Sequence, residues 1–419
     1  MIDDFRPKEK ARAAKRNAAK IPPPAGPVTP VEAPNDDPVI EIVPETKTPK
    51  MAETPKMLPA KTKRRPHIWP DAWSRKKKRL FTGLLVLLAL GLIGGGAYWY
   101  RAKHQTKAAV VTKTTVAVAP KPTTVPSSLT GLPVAPEVNQ RVVTGVMIEN
   151  SPDARPQSGL FEAGVVYEAV AEGGITRFLA LFQDTQPAYV GPIRSSRPYY
   201  LDWLLPFNAS YAHVGGSPEA LQQIKALGVR DMDQFANSSA YDRITSRYAP
   251  HNVYTSIARL VKLAESKGYT TSTYTGFARK PKESPAATPT AKTIDLTISG
   301  PLYNPHYDYD TTTNSYKRSE GGKPHTDEKS GTQLSPKVVI ALVIPSAIEA
   351  DGSHNSYATT GTGSMYVFQD GTVTPGTWKK DSRSSQFIFT DSAGQPLLLN
   401  PGQTWLSIVN TTGSVVYIP

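Results

Sequence analysis

A run of 21 residues without a charge, Leu80 to Tyr100 (LFTGLLVLLALGLIGGGAYWY), constrains this chain more than any other feature. As a helix rising about 1.5 Å per residue it would be roughly 32 Å long, which matches the ~30 Å hydrocarbon core of a bilayer. Arg75, Lys76, Lys77, Lys78 and Arg79 bound it on one side. Tyr98, Trp99, Tyr100, Arg101 and Lys103 bound it on the other, the aromatic and basic anchors of a spanning helix. A secretory signal would have a shorter apolar core close to the N-terminus, whereas 79 mostly polar residues come first here. A buried core helix would need apolar partners, and the flanks are Pro-rich and charged. The run reads as one transmembrane helix at 80–100. Seven Lys and Arg between Arg64 and Arg79, against four between Arg101 and Lys113, place the N-terminus in the cytoplasm and the C-terminal region outside.

The net charge of +13 is unevenly placed. Residues 1–79 carry 19 basic and 10 acidic residues, and 101–130 carry five basic and none acidic. That leaves 24 basic against 25 acidic residues in 131–419, so the foldable part is near neutral, a general basic nucleic-acid-binding domain is disfavoured and no specific nucleic-acid partner is expected. The basic flank suits anionic lipids of the inner leaflet. With no cysteine there is no disulfide, thiolate nucleophile, Cys-based zinc site or acylated N-terminal Cys.

Residues 1–79 read as a disordered basic tail, because their prolines and sparse aromatics cannot build a core. The stretch 101–130 reads as a Pro- and Thr-rich spacer. From 131 to 278, short apolar runs (VVTGVMIE, VVYEAV, RFLALFQ) alternate irregularly with helical segments at 197–205, 218–228 and 257–267, which predicts an α+β or α/β domain. Ser217 and Pro218 are good first residues for the second of these helices, and Gly228 a good stop. A Pro-rich linker at 279–292 leads to a β-rich domain at 293–419. Its strands are expected near 293–299, 337–344, 363–369, 386–390 and 405–410, with hairpin turns at Asp370-Gly371, Asp391–Gly394 and Thr411–Gly413.

Four clusters carry candidate chemistry. His213-Val214-Gly215-Gly216-Ser217 is a strand-to-helix turn whose glycines and helix N-terminus could admit an anion, or serve only a tight turn and its cap. Arg194 and Arg197 could fork onto one carboxylate or phosphate, or pair with local acids such as Glu168, Glu172 or Asp202. His251 could act as a base with Asn252 orienting it, and His325 and Asp327, two apart, would share a strand face. Arg177 and Glu172 complete the candidate set. No cofactor motif, His-Glu-x-x-His metal spacing or Gly-x-Ser-x-Gly elbow occurs, so no cofactor or metal is expected and a serine hydrolase is disfavoured.

The runs MIENSPDARPQSGL, VYEAVAEGGITRFLALF, VGPIRSSRPYY, HVGGSPEAL and APHNVYT, followed by SYKRSEGGKPHTD, GTGSMYVFQDGTVTPGTWKK and NPGQTWLSIV, resemble the YerB-like bacterial lipoproteins. The resemblance covers roughly 131–419 and implies a bacterial envelope protein with two outward-facing domains of unassigned activity. The chain departs from that pattern in lacking a Cys to acylate, and the helix at 80–100 would replace the lipid anchor. Two functions stay open. The ectodomain could bind an anionic envelope glycan or a partner protein, with the Arg194/Arg197 and Gly215-Gly216-Ser217 segments converging on the ligand. Alternatively it could be an extracytoplasmic enzyme acting on wall glycan or phosphodiester bonds.

Overall fold

The computed structural model describes residues 75–103 and 123–419. The first stretch is a single helix, α1 (Arg75–Lys103). Its segment Arg79–Lys103 is long and apolar enough to cross a membrane by length and composition. Most of the tail expected at 1–79 and of the spacer at 101–130 lies outside the described residues.

In chain order the second stretch contains β1 (Thr144–Glu149), β2 (Val165–Glu172), β3 (Ile175–Phe182), α2 (Pro198–Leu204), β4 (Ser210–Ala212), α3 (Pro218–Ala226), β5 (Arg230–Asp231) and α4 (Ile257–Ser266). There follow β6 (Thr293–Leu296), β7 (Pro305–Asp310), β8 (Ser315–Glu320), β9 (Lys323–Pro324) and β10 (Val338–Val343). The last strands are β11 (Gly361–Gln369), β12 (Thr372–Lys380), β13 (Ile388–Asp391), β14 (Thr404–Val409) and β15 (Val415–Ile418). The helices stand where spacing and caps put them. Ser217 Oγ accepts from Ala220 N at 3.3 Å and Ser256 Oγ from Arg259 N at 3.2 Å, each satisfying an amide that the first helical turn leaves free.

Ten strands form one mixed sheet in the order β13-β12-β11-β10-β14-β2-β3-β1-β4-β5. Both sequence halves contribute to it, joined where β14 runs parallel to β2 with Trp405 beside Val166 and Ser407 beside Glu168. Strands β1 and β14 are buried along their whole length, as their largely apolar sequences, TGVMIE and TWLSIV, suit for strands covered on both faces. Alternation sorts the side chains. Met147, Tyr167, Leu179, Ile340 and Leu406 face α2 and α3 across one core. Ile148, Val166, Phe178 and Trp405 face α4 across another. Further along that second face, Val339, Ala341 and Phe368 pack on Ile294, Tyr307 and Tyr316 of a five-stranded antiparallel sheet, β9-β8-β7-β6-β15.

The Asp370-Gly371 turn closes β11 on β12 with φ of 58° and 72°, the left-handed pair that a two-residue hairpin loop needs. A Cβ on Gly371 would lie 2.6 Å from Tyr309. Thr411–Gly413 is not a hairpin turn: it carries the chain from β14 in the large sheet to β15 in the small one, because β15 pairs with β6. The β7–β8 hairpin, PHYDYD and SYKRSE, lies outside the expected strands, since charged residues occupy outward positions such as Asp308 and Lys317 and two of its inward side chains, Arg318 and Glu320, are charged as well.

Candidate functional site

The Arg194–Arg197 and Gly215–Ser217 segments lie side by side. Ser196 N donates to Gly215 O at 2.9 Å and Val214 N to Arg194 O at 3.0 Å. Several of their donors are engaged within the protein, although Arg194 Nε and Arg197 Nε are buried without a hydrogen-bond partner among the described residues. Arg177 and Arg197 each donate to one oxygen of Glu172, and Arg197 also donates to Ser196 O at 2.6 Å and Ser195 Oγ at 3.2 Å. Burial opposes ionisation of Glu172, but the two guanidinium groups outweigh it and hold the carboxyl below its usual range. Gly215 N donates to Asp233 Oδ1 at 2.8 Å. Buried His213 places Nδ1 at 2.8 Å from Gly215 O and Nε2 at 3.0 Å from Asp231 Oδ1. The adjoining hollow, about 200 Å³, is lined by Arg197 and Ser217 together with Glu219, Glu349 and Asp351, so carboxylates surround it.

His251 stands on a second carboxylate. Its Nδ1 is 2.9 Å from Glu149 Oε2, while Ser151 Oγ donates to Glu149 Oε1 at 3.0 Å and Arg194 Nε lies 3.2 Å from that same oxygen. Asn252 does not orient the ring. Its amide donates to Ile244 O at 3.2 Å and its oxygen accepts from Arg243 at 3.1 Å. The group that fixes His251 is Glu149, 102 residues earlier, a pairing no local motif announces.

The third cluster fills the seam between the α4 core and the small-sheet core. Buried Arg318 donates to Glu168 Oε1 at 2.9 Å, Glu320 Oε1 at 3.0 Å, Tyr307 OH at 2.8 Å and His325 Nδ1 at 2.9 Å. It also stacks 4.6 Å from the Trp405 ring centre. Trp405 Nε1 donates to the other Glu168 oxygen at 3.0 Å. His325 Nε2 faces Gln157 Oε1 at 2.8 Å. Burial and the cations Arg318 and Arg155 push His325 well below the usual histidine range. Asp327 does not join His325: it accepts Gly159 N at 2.6 Å and caps the turn at Lys329 and Ser330.

Glu320 closes this network from the cleft side. Asn150 donates to Oε1 at 2.8 Å, and Arg155 Nη2 is 3.3 Å from Oε2, which has no hydrogen-bond donor among the described residues. Burial pushes the Glu320 carboxyl up to about 7, against the pull of Arg318. Above it opens a cleft of about 390 Å³, walled by Pro152, Pro156 and Leu302 and flanked by Arg155 and Lys323. Sequence reading missed Arg155, Arg318 and Glu320. The available signal was Tyr316-x-Arg318-x-Glu320 on a strand, which places two opposite charges on one inward face. Among the described residues no three His, Asp or Glu side chains gather as a metal would require.

Comparison with known proteins adds a family. The model described as "Protein of unknown function (DUF3048) N-terminal domain" matches residues 129–270, and that of the corresponding C-terminal domain matches 294–406. The "Putative lipoprotein YerB" of Bacillus subtilis is 34% identical over 285 residues, 67% of this chain and 85% of that protein. The crystal structure of YerB protein from Bacillus subtilis aligns with a TM-score of 0.63 at 31% identity, covering 70% of this chain and 99% of that one.

Proposed function

We propose, given that this chain belongs to the DUF3048 family, that it is a membrane-anchored envelope protein whose folded region binds an anionic envelope glycan in the cleft above Glu320. Membrane anchoring is supported by the apolar helix Arg79–Lys103 and by the lipoprotein name of the B. subtilis relative. The N-terminus is cytoplasmic and residues 131–419 lie outside on the charge asymmetry of the flanks. Protease added to intact spheroplasts should then remove the folded region, and protection of that region would reverse the topology.

The observation that carries the binding reading is the charge balance of the cleft. Arg155 and Lys323 border it, while the acid at its floor, Glu320, is biased toward its neutral form. A carboxylate or phosphate entering there meets a net positive wall: Arg155 is held in place by its bonds to Asn150 and to Leu302 O, and the exposed Lys323 can offer the ligand a charge-assisted hydrogen bond. Pro152, Pro156 and Leu302 give the apolar faces that sugar rings pack against. Full-length protein in detergent should bind an acidic oligosaccharide such as hyaluronan tetrasaccharide and bind maltotetraose far more weakly. Equal affinity for the two would remove the charge-based reading.

One feature also favours the enzymatic alternative. A carboxyl near 7 in a cleft is in the range where a general acid works. If it acts on wall polymers, the protein should release fragments detectable by mass spectrometry, and Glu320→Gln should release none while still binding. Intact polymer after incubation with the wild type would leave binding alone.

A further inference from the structure

We propose that the groove continues beyond the cleft into a second subsite, formed by Tyr248, Asp153 and His251, which takes a neutral sugar ring next to the acidic unit held in the first cleft. This rests on the glycan-binding reading above. The two hollows are separated by a single turn. Pro152, Arg155 and Pro156 line the first, and Asp153 lines the second, a space of about 360 Å³ shared with Ser246, Arg247, Tyr248 and His251.

The second hollow is preformed. Arg247 donates to Asp153 O at 3.0 Å and to Pro156 O at 2.8 Å, tying the loop that carries Tyr248 to the turn that divides the groove. Tyr248 is 89% exposed, an aromatic face open to solvent beside polar groups. Such a face stacks on the C–H surface of a sugar and loses little freedom in doing so. His251 has Nδ1 fixed by buried Glu149, which leaves Nε2 for a ligand, 4.0 Å from Asp153 Oδ2. The Asp153 side chain is 84% exposed. A carboxylate, an imidazole nitrogen and the Ser246 hydroxyl are donors and acceptors matched to sugar hydroxyls.

Charge sets the order of the units. The first hollow is bordered by two cations, whereas in the second the Asp153 carboxylate is offset by Arg247, and Glu149 behind it is paired with Arg194 and His251. An acidic sugar therefore gains over the first and has no such gain over the second, and the groove suits a glycan in which acidic and neutral units alternate.

The test measures affinity of the full-length protein in detergent for glucuronate, for hyaluronan tetrasaccharide, in which glucuronate alternates with N-acetylglucosamine, and for tetragalacturonate, which is acidic throughout. Hyaluronan tetrasaccharide should bind at least tenfold more tightly than glucuronate, and tetragalacturonate should gain much less. Tyr248→Ala should cut the hyaluronan gain to below threefold while leaving glucuronate affinity unchanged, and Tyr248→Phe should retain the gain, since stacking needs the ring and not the hydroxyl. An unchanged gain in Tyr248→Ala, or an equal gain for tetragalacturonate, would overturn the second subsite alone. Failure of wild type to bind any of the three ligands would overturn the glycan-binding reading and the subsite with it.

Discussion

Glu172 and Glu320 each lie against two arginines, yet the structure makes them opposite devices. Glu172 keeps a quarter of its side chain in solvent, and both its oxygens are held by Arg177 and Arg197; the result is an ionised carboxylate locking neighbouring backbone segments. Glu320 is 1% exposed, shares Arg318 with Glu168, and has Oε2 without a hydrogen-bond donor among the described residues; the result is a carboxyl that resists ionisation beneath an open cleft. The difference teaches that the number of arginines near a carboxylate says little about ligand binding. What matters is whether a cation that is not locked into the fold, such as the exposed Lys323, faces a space that a ligand can enter.

The largest effect should come from breaking the buried seam. Arg318→Met leaves Glu168 and Glu320 without their shared cation in the interior, and removing one partner of a buried ion pair costs roughly 3–5 kcal/mol. Urea unfolding should show this loss, whereas a loss under 1 kcal/mol would mean that water already solvates the seam.

The next effect is a pH dependence. Folded Glu320 keeps its proton up to about pH 7, whereas an unfolded carboxyl releases it near 4.5. Its contribution to stability is therefore complete below pH 4.5 and lost as pH rises to 7. His325 runs the other way: it stays neutral when folded, so acid below its ordinary 6.5 favours the unfolded, protonated form. The two slopes offset one another. In Glu320→Gln only the histidine slope remains, and on acidification from pH 7 to 4.5 the variant should lose stability relative to wild type by up to about 1.4 kcal/mol per pH unit. Parallel curves would mean that Glu320 titrates as an ordinary carboxyl.

Much of the scaffold was legible in the sequence because it rests on short-range rules. The Ser217-Pro218 start, the Asp370-Gly371 turn and the largely apolar runs of β1, β10 and β14 each follow from local chemistry. The juxtaposition of Arg194–Arg197 with Gly215–Ser217 entered only as a condition, that both segments end neighbouring strands: Gly215–Ser217 does follow β4, but Arg194 lies well past the end of β3 and its segment joins β1 through the isolated bridge of Ile193 to Ile148. What stayed hidden depends on distant pairing. Arg155 meets Glu320 across 165 residues and Glu149 meets His251 across 102, and neither spacing has a motif. The β7–β8 hairpin was missed for a related reason, since an inward Arg318 looks like a surface residue until Glu168 is brought to it by β2.

A smaller effect separates the two glutamates most sharply. Arg197→Ala should cost about 2 kcal/mol by removing charged hydrogen bonds to Glu172, with Arg197→Lys recovering only part because an ammonium cannot reproduce the fork. Lys323 is exposed, and Lys323→Glu should change stability by no more than about 0.5 kcal/mol.

Whether the ligand sits over Glu320, as proposed, or at Glu172 is decided by the affinity of wild type, Lys323→Glu and Arg197→Ala for hyaluronan tetrasaccharide, measured by calorimetry alongside thermal unfolding. Lys323→Glu should unfold with the wild type but bind at least tenfold more weakly, while Arg197→Ala should melt earlier and bind within twofold of wild type. Retained binding in Lys323→Glu together with lost binding in a folded Arg197→Ala would contradict that placement and move the site to the Arg194–Arg197 edge.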